Sequence, residues 1–424
     1  MGLLASVVEQ GLVAKEWLDS HTSGFADLEK ALQNYAPDKV EKLTGLAAAD
    51  IAAAAKAFAE AENGIILFGL EAGNDPALRA ALEALALVTG HAGKANNGII
   101  PVLPHANSRG AADMGVVPHR LPGYVPVEAG LSAQEMLAEG SPLKGMLIAG
   151  LDPAAESDAY KAALDKLDFL VVQELFLTET AQLADVVLPA RGTAERDGTF
   201  TNAERRVQAF DTGVPAPGAA WADWLILTAL AGQMGADWSY ASADGVMAEI
   251  AGAVPLYAGM KFENLVAPVS LARKTAHYIY EGMSFTADVR EGVQWPSLAE
   301  QESAQVPLRF IAPAAPASNG QGLTLVAPRR LYDAGRLFAE AELMQPHIAQ
   351  PQVLVSRADA QKLGLANGDV VSVSQNGVSV ALPVRINRSV SEGIVVVPRN
   401  LAGRPAERLL GPGGLFGSVK VEKI

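Results

Sequence analysis

Hydrophobic positions in the first 60 residues recur at near-helical spacing. Gly2–Glu16 predicts one amphipathic helix and the alanine-rich Ala47–Ala61 another, with Asp50 as its expected cap. Gly64–Leu70 (GIILFGL) is a short unbroken apolar run, the pattern of a fully buried strand. Asn74-Asp75-Pro76 then supplies a cap and a first-position proline for a helix reaching about Gly90. The alternation repeats further on. Gly145–Ile148 reads as a strand, Gly150-Leu151-Asp152-Pro153 as a turn, and Glu156–Leu167 as a helix. Phe169–Gln173 is a second strand, Thr178–Leu183 a short helix, and Val186–Leu188 a third strand. Successive strand–helix–strand passages predict a doubly wound α/β region built on a parallel sheet.

Ala219–Met234 predicts a mostly buried helix whose Trp221 and Trp224 belong to the core. Gly90–Tyr124 is glycine-rich and lacks long apolar runs, the mark of a functional or irregular connection. Ala312–Gln321 (APAAPASNGQ) has linker composition. Beyond it the period changes to two. Gln352–Val355, Val370–Ser374, Val378–Val384 and Gly393–Val397 are β-rich runs, and Asn376-Gly377 signals a type I′ hairpin. A small β-barrel follows from this pattern. The expected organisation is an α/β region over residues 1–300, a linker over 301–321 and a barrel over 322–424.

One stretch breaks the alternation. After the apolar cluster Ala184–Pro189 come Arg191, Glu195, Arg196, Asp197, Thr199, Thr201, Asn202, Glu204, Arg205 and Arg206. Polar groups directly after a buried strand suit a ligand crevice at the carboxyl edge of a sheet; a solvated loop explains the same residues.

Composition narrows the function. The chain has 424 residues, half of them hydrophobic and 19% charged, so it folds into a sizeable core. A net charge of −14 argues against nucleic acid or an anionic membrane surface as partner. No apolar run is long enough for a spanning helix, and a secretory leader is not expected. These features predict a cytoplasmic protein without direct membrane insertion. There is no cysteine, so this chain should hold no iron–sulfur cluster or thiolate metal site. The six histidines are scattered, without HxxxH or HxH spacing, and no metal ligands are expected.

Candidate binding groups sit at predicted strand ends. Gly150 and Asp152 open a helix where an anionic group is favoured. Glu174 closes the next strand, where its carboxylate could accept from a guanine edge. Asn107, Gly110 and Asp113 lie on the glycine-rich loop, and Asn202 with Arg205 on the charged one. No catalytic constellation emerges: no defensible Ser–His–Asp spacing and no GxxxxGK[ST] loop is present.

The wording of these stretches resembles a known family. Glu179–Pro189 reads ETAxxADVVLP and Ala194–Gln208 reads AExDGTxxNxERRxQ, similar to the signature of molybdopterin oxidoreductases. That superfamily includes formate dehydrogenases and the large peripheral-arm subunit of NADH-quinone oxidoreductase (respiratory complex I). Asn107–Tyr124 resembles the NxQGAxDMGxxPxxxPGY block of formate dehydrogenases, and Thr89–Gly98 the preceding TGxxGxxxxG segment. Asp359–Val373 resembles the DAxxLGxxxGDxVxV motif of the molybdopterin dinucleotide-binding barrel. The resemblance implies a crevice for a molybdopterin guanine dinucleotide. Asn107, Gly110, Asp113, Gly150, Asp152, Glu174, Thr178, Thr180 and Asn202 are its implied contacts, with Asn400 on the barrel side.

There are departures too. The chain is expected to begin about halfway through the family's length, without the half that normally carries clusters and the molybdenum ligand. Asp152 stands for the usual Asn, and Arg109 and Ala106 for the Gln and first Asn of the loop. A carboxylate about 4 Å from a phosphate costs about 4 kcal/mol at an effective dielectric near 20. Leu331–Leu337 (LYDAGRL) looks like the LYDxGxL of the large peripheral-arm subunit of NADH-quinone oxidoreductase. The expectation is therefore a structural chain similar to the carboxyl-terminal half of that large subunit, without its own redox centre and not self-evidently an enzyme. It would pack on an iron–sulfur-bearing amino-terminal segment or partner chain of an NADH-oxidising complex, peripheral to the inner face of the plasma membrane. The alternative is the catalytic half of a split, formate dehydrogenase-like molybdopterin enzyme.

Overall fold

The computed structural model describes residues 1–69, 75–93, 97–203, 205–265, 293–294, 306–313, 322–411 and 413–424. Asn74, Asn96, Glu204, most of Phe262–Leu308 and most of the Ala312–Gln321 linker lie outside them. Spatial contact groups the chain into two compact units. One joins Met1–Ser132 with Arg191–Ala314, and the other joins Ala133–Ala190 with Ala315–Ile424. The expected boundaries at 300 and 322 follow the change of period along the chain, whereas these units follow packing.

In the first unit, the expected helix Gly2–Glu16 is two helices, Gly2–Glu9 and Lys15–His21. Gly11, at φ +67°, turns the chain between them. The alanine-rich helix is Ala48–Ala59, and its cap position is Ala47; Asp50 lies in its first turn, where a carboxylate still favours the helix dipole. Asp75 accepts from the backbone of Ala77 and Leu78 and starts helix Pro76–Val88 as expected. Leu4, Val7, Leu18, Leu28 and Val88 form the core these helices share. Strand Ile65–Phe68 pairs in parallel with Gly98–Pro101. It is not fully buried: Ile65 and Leu67 are exposed, because only the Ile66 side has a helix layer to pack on. The glycine-rich stretch is more ordered than its composition suggests, with helix Ser108–Asp113 and a short hairpin pairing Arg120–Leu121 with Val125–Pro126.

The charged stretch contains an antiparallel pair, Gly198–Thr201 against Arg206–Phe210. Helix Asp223–Gln233 follows. It buries only Ile226 and Thr228 along its length, while Trp221, Leu227 and Leu230 are exposed. Its apolar residues encircle the axis, so one neighbouring layer cannot cover them all.

The second unit carries a three-stranded parallel sheet in consecutive order: Gly145–Ala149, Phe169–Glu174, Val186–Pro189. The expected helix Glu156–Leu167 is two, Pro153–Glu156 and Asp158–Leu164. Ser157 is extended between them and caps the second through Ala159 N–H. Ile148, Leu170 and Val172 on one sheet face pack against Ala154, Leu164 and Ala181 of the helices.

The rest of this unit is a closed six-stranded barrel. Its strands run around in the order Leu323–Val326, Ile394–Val396, Val353–Val355, Val378–Ile386, Val370–Gln375 and Phe416–Lys423. Asn376 and Gly377 both have positive φ, so the type I′ hairpin forms as expected. Val353, Val355, Val371, Val373 and Val395 fill the interior, each worth about 1.5–3 kcal/mol on burial. The fold is thus an α/β body with a carboxyl-terminal closed barrel.

Candidate functional site

In the second unit, the loops after parallel strands collect at one sheet edge. Gly150 follows the first strand at φ +65°, and a Cβ placed there would meet open space. Only the backbone conformation demands glycine at this turn. Asp152 Oδ1 accepts from both the backbone N–H (2.9 Å) and hydroxyl (2.7 Å) of Thr180. The Thr180 hydroxyl in turn accepts from Ala154 N–H at 3.0 Å. An asparagine would present the same acceptor oxygen, so Asp152 keeps the turn-to-turn tie while adding a charge. Thr178 caps helix Glu179–Leu183 by accepting from Ala181 N–H at 3.2 Å.

Glu174 closes the second strand with its side chain fully buried. Oε1 accepts from Leu175 N–H at 2.6 Å and Oε2 pairs with the guanidinium of Arg336. Both oxygens therefore have donors before any ligand arrives. Arg336 comes from the LYDAGRL stretch, and the same stretch reaches Asn400: Ala334 N–H donates to Asn400 O at 2.7 Å. Gly335 leaves no room for a side chain, since a Cβ there would sit 2.9 Å from Asp333 Oδ1 and 3.4 Å from Asn400 Nδ2.

Asn400 and Arg404 both adopt left-handed backbone conformations, at φ +58° and +45°. For arginine this is uncommon and costs of order 1–2 kcal/mol. Glu407 locks the turn: its Oε1 accepts from Asn400 N–H at 2.7 Å and lies 3.5 Å from Arg399 Nε. Its other oxygen, Oε2, is buried without a hydrogen-bond partner among the described residues. Glu156, on the helix that Asp152 opens, lies within electrostatic reach of this turn. Burial raises its carboxyl above the usual range, Arg404 and Arg399 oppose that, and Asp152 and Glu407 add to it.

In the first unit, Asn107, Gly110 and Asp113 come together on helix Ser108–Asp113. Asn107 Oδ1 accepts from Thr201 N–H at 2.9 Å, and a Cβ on Gly110 would overlap that oxygen. Asp113 has no exposed surface. Its oxygens accept from the hydroxyls of Tyr124 (2.5 Å) and Tyr257 (2.9 Å). Tyr257 also meets the Thr201 hydroxyl at 3.0 Å. Burial raises the Asp113 carboxyl, against the pull of both tyrosines and of the Arg109 and Arg205 charges. Burial also raises both tyrosine hydroxyls. Asp113 is thus a buried anchor, and Asn107 is the more accessible of the two.

The charged stretch finds its partners within the first unit. Glu195 accepts from Gly192 N–H, Arg196 pairs with Asp223, and Asp197 accepts from the Trp224 indole and from Ala243 N–H. Asn202 closes the hairpin through its own side chain, accepting from Arg206 N–H at 2.9 Å.

Six of the expected residues therefore belong to one unit: Gly150, Asp152, Glu174, Thr178, Thr180 and Asn400. The other four, Asn107, Gly110, Asp113 and Asn202, belong to the other. Arg336, Arg404, Glu407, Tyr124 and Tyr257 were missed. Arg336 carried a signal in the LYDAGRL wording; Tyr257, 144 residues from Asp113, carried none.

Comparison with known proteins fits this geometry. The molybdopterin oxidoreductase family model matches residues 22–233, and the molybdopterin dinucleotide-binding domain matches residues 323–413. The chain belongs to the molybdopterin oxidoreductase family. Within it, the chain is 32% identical to F420-dependent formate dehydrogenase 2 subunit alpha of Methanococcus maripaludis, covering 92% of this chain and 61% of that protein. It is 31% identical to NADPH-Fe(3+) oxidoreductase subunit alpha of Geobacter sulfurreducens, over 99% of this chain and 49% of that one. The chain thus spans from 49% to 61% of the length of these relatives. Acetylene hydratase from Pelobacter acetylenicus shares the fold, with a TM-score of 0.67 at 17% identity, over all of this chain and 69% of the hydratase. These molybdopterin relatives correct the leaning toward the large peripheral-arm subunit of NADH-quinone oxidoreductase. The LYDAGRL wording behind it is explained by packing, since Gly335 and Arg336 serve Asn400 and Glu174. No helix among the described residues is long and apolar enough to cross a membrane.

The residues present fit the nucleotide end of the family's cofactor. Gly150 offers an open turn, Arg404 a cation, and Glu407 Oε2 a buried acceptor awaiting a donor. Glu174 fits less well, its two oxygens being engaged.

Proposed function

We propose that this chain is the dinucleotide-holding part of a molybdopterin-dependent oxidoreductase of the formate dehydrogenase alpha-subunit type. The observation that carries the reading is the Asn400–Glu407 turn. A left-handed arginine and an unpartnered buried carboxylate oxygen are costs that a bound ligand would offset. Glu407 Oε2 would accept from the ligand's N–H groups, Arg404 would face its phosphates, and the Gly150 turn would let backbone approach it. Thr180 would position the Asp152 turn rather than touch the ligand. Bound there, the cofactor supplies two-electron oxidation or reduction at its metal. With no cysteine in this chain, onward electron transfer requires an iron–sulfur-bearing partner. The similarity to three F420-dependent formate dehydrogenase alpha subunits favours formate as the first substrate to assay.

A second reading is favoured by one observation. Glu174, Asp152, Glu195 and Asp197 are all satisfied within the protein, as they would be in a chain that keeps the fold as scaffold inside an electron-transferring assembly. Molybdenum and pterin analysis of the protein isolated with its native partners decides. Stoichiometric molybdenum with a guanine dinucleotide supports the first reading. Glu407→Gln, which turns the acceptor at Oε2 into a donor, should then cut retained pterin roughly tenfold. Absence of both metal and pterin from the native preparation overturns it and leaves the scaffold.

A further inference from the structure

Two of the parallel sheets among the described residues, Gly145–Ala149 with its two neighbours and Ile65–Phe68 with Gly98–Pro101, each leave an aliphatic face open. In the second unit, the register aligns Leu147, Val171 and Val186 across the three strands, with Phe169 one step away on the same face. Leu147 is 44% exposed, Phe169 51% and Val186 39%. On the opposite face Ile148, Leu170 and Val172 pack against helices, and only Val187, on the edge strand, stays 37% exposed there. In the first unit the same pattern recurs independently. Ile65 and Leu67 are 40% and 65% exposed, while Ile66 between them packs into the core.

Parallel strands are joined by crossovers that place helices on the sheet faces, and such sheets occur with both faces covered. An aliphatic face left open on a parallel sheet is thus an unfinished layer, unlike the normal solvent face of an antiparallel one. Two such faces in one chain are unlike scattered exposed leucines. The relatives extend well beyond the region they share with this chain, which covers 61% of one and 49% of another.

We infer that the two open faces are docking surfaces for polypeptide equivalent to the unmatched part of these relatives, laid down as helices with an aliphatic stripe. On the larger face, the stripe packs against Leu147, Val171, Val186 and the Phe169 ring. This assignment is independent of whether the crevice holds a cofactor.

The chain has no cysteine, so single-cysteine variants each report one position. Leu147→Cys and Leu67→Cys probe the two faces, and Gln361→Cys, at an exposed position of the barrel unit, is the control. Both probe positions are already exposed, so folding is expected to survive the substitutions. Maleimide labelling is measured on the 424-residue chain alone and on the chain recovered in its native assembly from source cells. All three thiols should label readily in the isolated chain. In the native assembly positions 147 and 67 should label roughly tenfold more slowly or less, with position 361 unchanged. Thiol-directed cross-linking from 147 should capture a peptide that aligns with the unmatched region of formate dehydrogenase alpha subunits. Equal labelling in the two preparations overturns the inference. So do cross-links to this chain's own residues, to a second copy, or to a polypeptide without that alignment.

Discussion

Gly110→Ala tests whether Asn107 is held as the structure shows. The Cβ it introduces would overlap Asn107 Oδ1, so that oxygen must move by about 1 Å to restore an ordinary contact. Moving it breaks the 2.9 Å hydrogen bond from Thr201 N–H, on a residue that is buried. An unpaired buried donor costs about 1–3 kcal/mol, and crowding in a packed site typically adds about 1–3 kcal/mol. Against this, replacing glycine by alanine inside a helix returns about 1 kcal/mol. The net is a loss of about 1–5 kcal/mol. In an Asn107→Ala background the obstacle is gone, and the same substitution should stabilise by about 0.5–1 kcal/mol. All five tryptophans fall within the chain segments of the first unit, so urea unfolding followed by tryptophan fluorescence reports that unit selectively. A higher urea midpoint for Gly110→Ala in the wild-type background would refute the reasoning. So would the same sign of effect in both backgrounds.

Arg336→Met should destabilise the second unit by about 3 kcal/mol, toward the low end for a broken buried pair because Arg336 is partly exposed. Adding Glu174→Gln should restore most of it, read by hydrogen exchange of the Phe169–Glu174 amides. Asp152→Asn should be neutral within about 0.5 kcal/mol, since it keeps the acceptor for Thr180, whereas Asp152→Ala should cost about 1–3 kcal/mol in thermal unfolding. Asp113 sets a pH dependence. Its folded carboxyl titrates above the unfolded value near pH 4, so the folded state favours the protonated form. Stability is therefore highest below that value and falls as pH rises toward the folded titration point, levelling off above it. Asp113→Asn should flatten that slope in tryptophan-monitored urea midpoints; an unchanged slope would assign it to other groups.

What could be read from the sequence was local. Asp75 and the Asn376-Gly377 turn fulfil their expected roles because caps and tight turns depend on residues a few positions apart. Period-two runs likewise announced the barrel, whose interior takes every second residue. Errors arose where one residue overrode a period: Gly11 and Ser157 each divide an expected helix. The site was legible as a set of loops, but not in its bonding. Glu174 meets Arg336 across 162 residues and Asp113 meets Tyr257 across 144, and no spacing rule links such pairs. Glu174 and Asp113 stood out in the sequence as polar groups at strand and loop ends. The structure shows that each already has its partner within the chain.

The two compact units are interleaved along the chain, which crosses between them after Ser132, after Ala190 and after Ala314. During synthesis the Ala133–Ala190 sheet leaves the ribosome before residues 191–314, and its barrel follows only after them. At roughly 5–20 residues per second that interval is about 6–25 s. Throughout it, the buried Glu174 carboxylate has no Arg336 to pair with. A nascent chain in that state is a natural client for a holding chaperone, and no single proteolytic cut can release either unit intact.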